Sequence, residues 1–210
     1  SHTYTKLLHG YFQESFKALG GEVGSVVAFD GADNFAKAIA DIAPADIIFL
    51  AVETAPDAFQ FISALRANGH DQPIVGGDGY DAEDVWQQDT SLTDIYYSTH
   101  AYFGGDHPSP TVAAFRSAYM AQYNVAPGSF AGLGYDTAGL LAAAIEKAGS
   151  AAPQALLEAL STLTDFDGVT GKISFINGSR VPLKSVTILE VADGKRRFVE
   201  EIVPKHVADP

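Results

Sequence analysis

The chain opens on a helical pattern with no strand before it. Tyr4, Leu7, Leu8, Tyr11, Phe12, Phe16 and Leu19 recur at helical spacing, so Ser1 to Leu19 is expected to form an amphipathic helix, stopped by Gly20 and Gly21. A helix that buries such a stripe normally follows a strand in an open α/β sheet. The sequence is therefore expected to be part of a longer chain.

Beyond Gly21, strand and helix signals alternate. Val23 to Phe29, Asp46 to Val52, Pro73 to Gly77 and Ile95 to Tyr102 are short apolar runs bounded by turn residues, each fitting a buried strand. Helical windows begin near Asp33, Thr54 and Asp81. Thr54 to Asp57 and Asp81 to Asp84 both read as a capping residue followed three positions later by an acid. In a right-handed parallel sheet such strand-to-helix loops emerge at the carboxyl edge of the strands.

After Tyr102 the pattern changes. Phe103 to Pro110 has the composition of a crossover loop, and three helices are expected without a strand between them: Ser109 to Tyr123, Phe130 to Ala148 with a stop at Gly149, and Pro153 to Leu163. Their apolar residues Phe115, Tyr119, Leu140, Leu141, Ile145, Leu156 and Leu160 need a partner surface. Gly171 to Phe175, Ser185 to Val191 and Arg197 to Val203 read as strands, the last two joined by a hairpin turn at Asp193 and Gly194.

Composition narrows the function classes. The 210 residues are 47% hydrophobic, enough for a real core. A net charge of −13 repels phosphate backbones and anionic membrane surfaces, so nucleic acid is not an expected partner. No apolar run approaches the roughly 18 residues that span a bilayer, and the opening residues are not a basic-then-apolar leader, so a soluble chain is expected. The absence of cysteine removes disulfides, thiolate metal sites and a Cys nucleophile, and suits a bacterial export compartment.

Tyr4 at the first helix start, GDGYD (Gly77 to Asp81), GYDTAGLLAAAIEKAGS (Gly134 to Ser150), GVTGKISF (Gly168 to Phe175) and VADGK (Val191 to Lys195) occur in an order that resembles the type I periplasmic binding proteins of branched-chain amino acid ABC transporters, similar to the leucine/isoleucine/valine-binding proteins. The resemblance covers nearly the whole chain. It implies an α/β protein of two lobes that closes on a small molecule in an interlobe cleft and delivers it to a membrane permease. Residues 1–103 and 185–210 would form the second lobe, a Rossmann-like parallel sheet without its first strand. Residues 104–184 would be the helical part of the first lobe and the hinge. That family carries a complete first-lobe sheet ahead of the point corresponding to Ser1. The faces of the helices over 109–163 are accordingly expected to be covered by that missing N-terminal lobe or by a second copy.

Candidate site residues emerge from the sheet edge and from the resemblance together. Tyr4, Glu53 with Thr54, and Asp78 sit at three successive strand-to-helix junctions, where open α/β sheets bind ligands. An ammonium group that loses water on binding needs a carboxylate, and the resemblance implies that Asp78 supplies it to an amino acid or related small amide. The alternative is a solvated Asp-Gly turn. The resemblance makes Tyr4 a ring lining the cleft, against the alternative of one more member of the helix's buried stripe. It makes Phe130 an aromatic contact from the other lobe, against plain core packing. Glu53 and Thr54 stand where the family often has an aromatic ligand contact, which puts an apolar side-chain pocket in doubt, and Thr54 also reads as a helix cap. Tyr80 and Tyr102 are further candidates, against the alternative that they simply border the hinge. The groups that hold the ligand's carboxylate in that family lie upstream of Ser1, so these residues alone are expected to bind weakly or not at all.

The six histidines, His2, His9, His70, His100, His107 and His206, have no metal-ligand spacing, so neither metal nor cofactor is expected. Gly76 to Gly79, Gly171-Lys172 and Ser129 each miss the dinucleotide, phosphate-loop or nucleophile-elbow pattern. Asn177-Gly178-Ser179 matches a glycosylation sequon but reads more simply as a turn. Catalysis is not expected. Two alternatives remain: a ligand-sensing domain of the same fold in a receptor or regulator, and an α/β enzyme using Asp78 and Glu53 as acid and base.

Overall fold

The computed structural model describes residues 3–105, 107, 109–176 and 178–204; Ser1, His2, Asp106, Pro108, Asn177 and His206 lie outside them. The chain divides into two units, Ser1–Ser98 with Leu189–Arg197 and Thr99–Ile188 with Phe198–Pro210.

The first unit opens on helix α1 (Thr3–Ala18), which ends where the Gly21 amide donates to the Phe16 carbonyl at 2.9 Å. The sequence then runs through a 3-10 turn into α2 (Phe35–Ala40), β1 (Ile48–Phe49), α3 (Ala55–Ala67), β2 (Ile74–Gly76), a second 3-10 turn over Asp78–Tyr80, α4 (Glu83–Trp86) and β3 (Ile95–Thr99). β1, β2 and β3 pair in parallel, with Ile48 opposite Ile74 and Ile74 opposite Ile95. The expected βαβ rhythm is therefore present. Ile62, Leu65, Ile74, Ile95, Leu189 and Val191 are fully buried in this unit. Each such aliphatic side chain contributes about 1.5–3 kcal/mol relative to exposure.

Three expectations fail here. Val23 to Phe29 forms no strand. It is held by its side chain instead: the Phe29 ring stacks on Phe61 at 4.3 Å, and Phe35 meets Phe61 edge-on. The stripe of α1 is only partly covered, for no residue of the helix is fully buried and Leu7 and Leu19 are exposed. Its contact with the sheet is Phe12, stacked on Phe49 at 3.8 Å. Asp81 caps no helix, because α4 starts later, after Ala82, and the Asp81 carboxylate is engaged elsewhere. Thr54 does cap α3: its hydroxyl accepts from the Asp57 amide at 3.3 Å and donates to the Asp57 carboxylate at 2.6 Å.

In the second unit, α5 (Pro110–Tyr123) has Ser109 as its cap, α6 (Ser129–Ala148) ends at a left-handed Gly149, and α7 (Pro153–Ser161) comes next. A small antiparallel sheet of β4 (Phe166–Gly168), β5 (Gly171–Ser174) and β6 (Leu183–Lys184) completes it. β4 and β6 were not expected, being too short and too polar to register as apolar runs. Ala101, Phe103, Val112, Phe115 and Val169 form the core of this unit, with Tyr119 packed on it. Leu141 and Ile145 are exposed rather than buried.

β7 (Val186–Ala192) and β8 (Lys195–Ile202) pass from one unit into the other, giving a five-stranded sheet of order β1-β2-β3-β7-β8. The turn between them is the expected one. Asp193 and Gly194 both have positive φ, 54° and 69°, which a two-residue hairpin of this hand requires.

Candidate ligand site

The first unit brings Tyr4 and Asp78 together from opposite ends of its sequence. Asp78 begins the 3-10 turn immediately beyond the carboxyl end of β2, and Tyr4 lies in the first turn of α1. The Tyr4 hydroxyl donates to the Asp78 Oδ1 at 2.5 Å. Both residues are half-buried.

Two glycines make this approach possible. A side chain at Gly77 would meet the Leu8 methyl at 2.7 Å and the Tyr4 hydroxyl at 2.9 Å. One at Gly79 would meet the Val52 carbonyl oxygen at 2.4 Å and the Glu53 carbonyl at 3.1 Å. The glycines flanking Asp78 thus let its turn lie directly against α1 on one side and the segment after β1 on the other.

Burial, reinforced by the hydrogen bond to Asp78 and by the negative charges of Asp78 and Glu53, holds the Tyr4 phenol well above the ordinary tyrosine range. Tyr4 is therefore a permanent donor at any physiological pH. The arrangement is a carboxylate oriented by a phenol at the carboxyl edge of a parallel sheet, suited to accepting hydrogen bonds from a cationic or amide nitrogen.

The other candidates separate. The Glu53 side chain is exposed beside this pair, and its charge is felt at Tyr4. Thr54 has its hydroxyl committed to the cap of α3. Tyr80 is fully buried, and its hydroxyl donates to the Leu50 carbonyl at 2.8 Å, so it holds the turn from inside the core. In the second unit, Phe130 is not core packing: the residue is 67% exposed in the first turn of α6, with the His100 ring edge-on at 5.6 Å. Tyr102 is buried between Phe198 and His107, at ring separations of 6.3 and 6.2 Å.

Two residues escaped the sequence reading. Asp136, buried within α6, accepts from the amides of Val169 and Thr170 at 2.8 Å each and from the Thr170 hydroxyl at 2.6 Å, fixing the turn between β4 and β5. Lys184 donates to the carbonyls of His100, Thr170 and Ser185 at 2.7, 2.6 and 3.0 Å. Asp136 sits inside the GYDTAG run, where a buried acid amid small apolar helix residues was the available signal. Among the described residues, no group of three His, Asp or Glu is gathered to hold a metal ion, and no helix is long and apolar enough to cross a membrane.

Residues 2–196 match the family model described as periplasmic binding protein, and the chain belongs to that family. Among solved structures, a leucine-binding protein of Thermotoga maritima is 25% identical with a TM-score of 0.80, over 97% of this chain and 58% of that one. A branched-chain amino acid transporter substrate-binding protein of Streptococcus pneumoniae, in complex with isoleucine, is 28% identical with a TM-score of 0.73, over 97% and 57%. An ABC transporter solute-binding protein of R. palustris in complex with benzoate, 22% identical over 93% and 54% with a TM-score of 0.70, shares the fold. The chain thus spans somewhat under three fifths of the first two relatives, 58% and 57% of their lengths. No curated protein matches it.

Proposed function

We propose that the protein is part of the solute-binding component of an ABC transporter, that its solute is an amino acid or a related small amide, and that Asp78 receives the solute's nitrogen. The observation that supports this most directly is the Tyr4–Asp78 hydrogen bond at the carboxyl edge of β2, on a turn whose flanking glycines let it lie close against α1 and the segment after β1. Membership of the periplasmic binding protein family supports the transport role, and the isoleucine complex of the S. pneumoniae relative supports the ligand class. Glu53 and the exposed Phe130 complete the proposed set of contacts, with Thr54, Tyr80 and Tyr102 as supports. Residues 1–103 with 185–210 and residues 104–184 are assigned to the two lobes of a bilobed protein. Closure of such a protein over its ligand, presentation to a membrane permease and a periplasmic or extracellular location belong to the same proposal.

A nuclear magnetic resonance titration detects even weak capture. Leucine, isoleucine, valine, glutamine and urea would be compared with 4-methylpentanoate, which has leucine's side chain and carboxylate but no nitrogen. At least one nitrogen-bearing compound should shift the resonances of Tyr4, Gly77, Asp78 and Gly79 while 4-methylpentanoate leaves them in place. Equal shifts from 4-methylpentanoate would overturn the assignment of Asp78.

A further inference from the structure

The turn that carries Asp78 is also held just after that residue, and the hold centres on an arginine that is not among the candidate ligand contacts. Asp81 closes the turn: its amide donates to the Asp78 carbonyl at 3.0 Å. The Asp81 carboxylate is almost completely buried, with its side chain 3% exposed, and it is ion-paired to the Arg196 guanidinium, itself only 18% exposed. The Tyr97 hydroxyl, from the centre of β3, donates to the same Asp81 oxygen at 3.4 Å.

Arg196 reaches this place because it lies just past the β7–β8 hairpin turn. At the hairpin tip, a side chain on Gly194 would meet the Thr90 methyl at 2.9 Å and the Trp86 carbonyl at 3.3 Å, so the tip lies flush against the end of α4. The Trp86 indole in turn donates to the Tyr80 carbonyl at 3.0 Å, and the Tyr80 hydroxyl donates to Leu50. Tyr80 and Asp81, just after Asp78, are therefore tied to β3, α4 and the segment after β1, and Arg196 supplies the buried countercharge for the tie. Removing one partner of a buried ion pair leaves the other uncompensated, and here the stranded charge would be Asp81, one hydrogen bond from the Asp78 backbone.

We propose that Arg196 is a positioning residue for solute capture: through its buried ion pair with Asp81 it fixes the Asp78–Tyr80 turn and thereby the place of the Asp78 carboxylate. This rests on the assignment of Asp78 as the acceptor of the ligand's nitrogen. A methyl-bearing side chain at 196 frees the turn, lets the Asp78 oxygen leave Tyr4, and loosens its hold on the ligand at the same time.

The test reads Tyr4 and ligand separately, in the wild-type chain and in R196M, R196K and D81N, with circular dichroism confirming the fold. The Tyr4 increment is identified by subtracting the Y4F chain from an alkaline titration of tyrosinate absorbance. In the wild type Tyr4 should fail to ionise by about pH 11. In R196M its ionisation should move to lower pH than in the wild type, because the hydrogen bond and charge of Asp78 no longer oppose it, and L-isoleucine, as the titrant in magnetic resonance, should bind at least about tenfold more weakly. R196K, which keeps the charge, should lie closer to wild type on both readouts. If R196M does not fold, D81N is read by the same two signals, with the same expectation. A folded R196M or D81N chain in which Tyr4 ionises no more readily than in the wild type would overturn the proposal. A wild type unmoved by isoleucine removes the affinity readout and counts against the ligand assignment, while the Tyr4 readout still decides the role of Arg196.

Discussion

Asp78 and Asp136 are both aspartates set among glycines and small residues, yet the two units use them in opposite ways. Asp136 is buried in the second unit and accepts three hydrogen bonds from the turn it organises, two from amides and one from a hydroxyl. Asp78 is half-buried at a sheet edge in the first unit, oriented by a phenol that never gives up its proton under physiological conditions. A carboxylate enclosed by backbone donors holds a fold together. One that is only half-buried and still reached by solvent can exchange water for a ligand. The difference is set by the partners and not by the residue type.

The sharpest way to break this contrast is to delete both acids. D136A strands two amides and a hydroxyl in a buried turn, so it should cost about 3 kcal/mol, read from urea unfolding followed by fluorescence. D78A removes a carboxylate from a partly solvated edge, and its cost should stay below about 1 kcal/mol in the same experiment. Equal costs would mean that Asp78 is as structural as Asp136 and would remove the basis for treating it as a ligand contact.

A smaller effect sharpens the second unit's side of the comparison. Burial pulls the Lys184 ammonium down from its ordinary 10.5 to about 8, opposed by the negative charges of Asp136 and Glu201. Below about pH 8 the folded and unfolded chains both hold that proton. Between about 8 and 10.5 the folded chain has released it while the unfolded chain keeps it. The unfolded state then binds more protons, and the contribution of this group to stability rises with pH. Midpoints of urea unfolding should show this upward component in the wild type relative to K184M across that window. Identical pH dependence in both chains would contradict it.

Much of this was legible in the sequence where local chemistry and tertiary packing agree. The helices from Pro110 onward start and stop where Ser109 and Gly149 mark them, and the Asp193-Gly194 turn is set by the need for positive φ. Asp78 and Tyr4 were both marked by position at the sheet edge. Their mutual hydrogen bond was not legible, because it joins residues 74 apart in sequence. Val23 to Phe29 misled because an apolar run states only that side chains want burial, and Phe29 satisfies this by stacking on Phe61 without a backbone ladder. Asp81 misled for the related reason that a capping pattern competes with any stronger partner, and the distant Arg196 wins. The short polar strands β4 and β6 carry too little hydrophobic periodicity to be seen at all.

The proposed role of the Asp78 carboxylate is to receive a nitrogen cation from a small solute. Its most direct test is a titration of the wild-type and D78N chains, followed by magnetic resonance, with whichever amino acid or amide shifts Tyr4 in the wild type. D78N keeps the shape and removes the charge, so loss of a charge-assisted hydrogen bond should weaken binding by about 2 kcal/mol, between tenfold and a hundredfold, with the fold intact. Undiminished binding of the same ligand by a folded D78N chain would contradict the account.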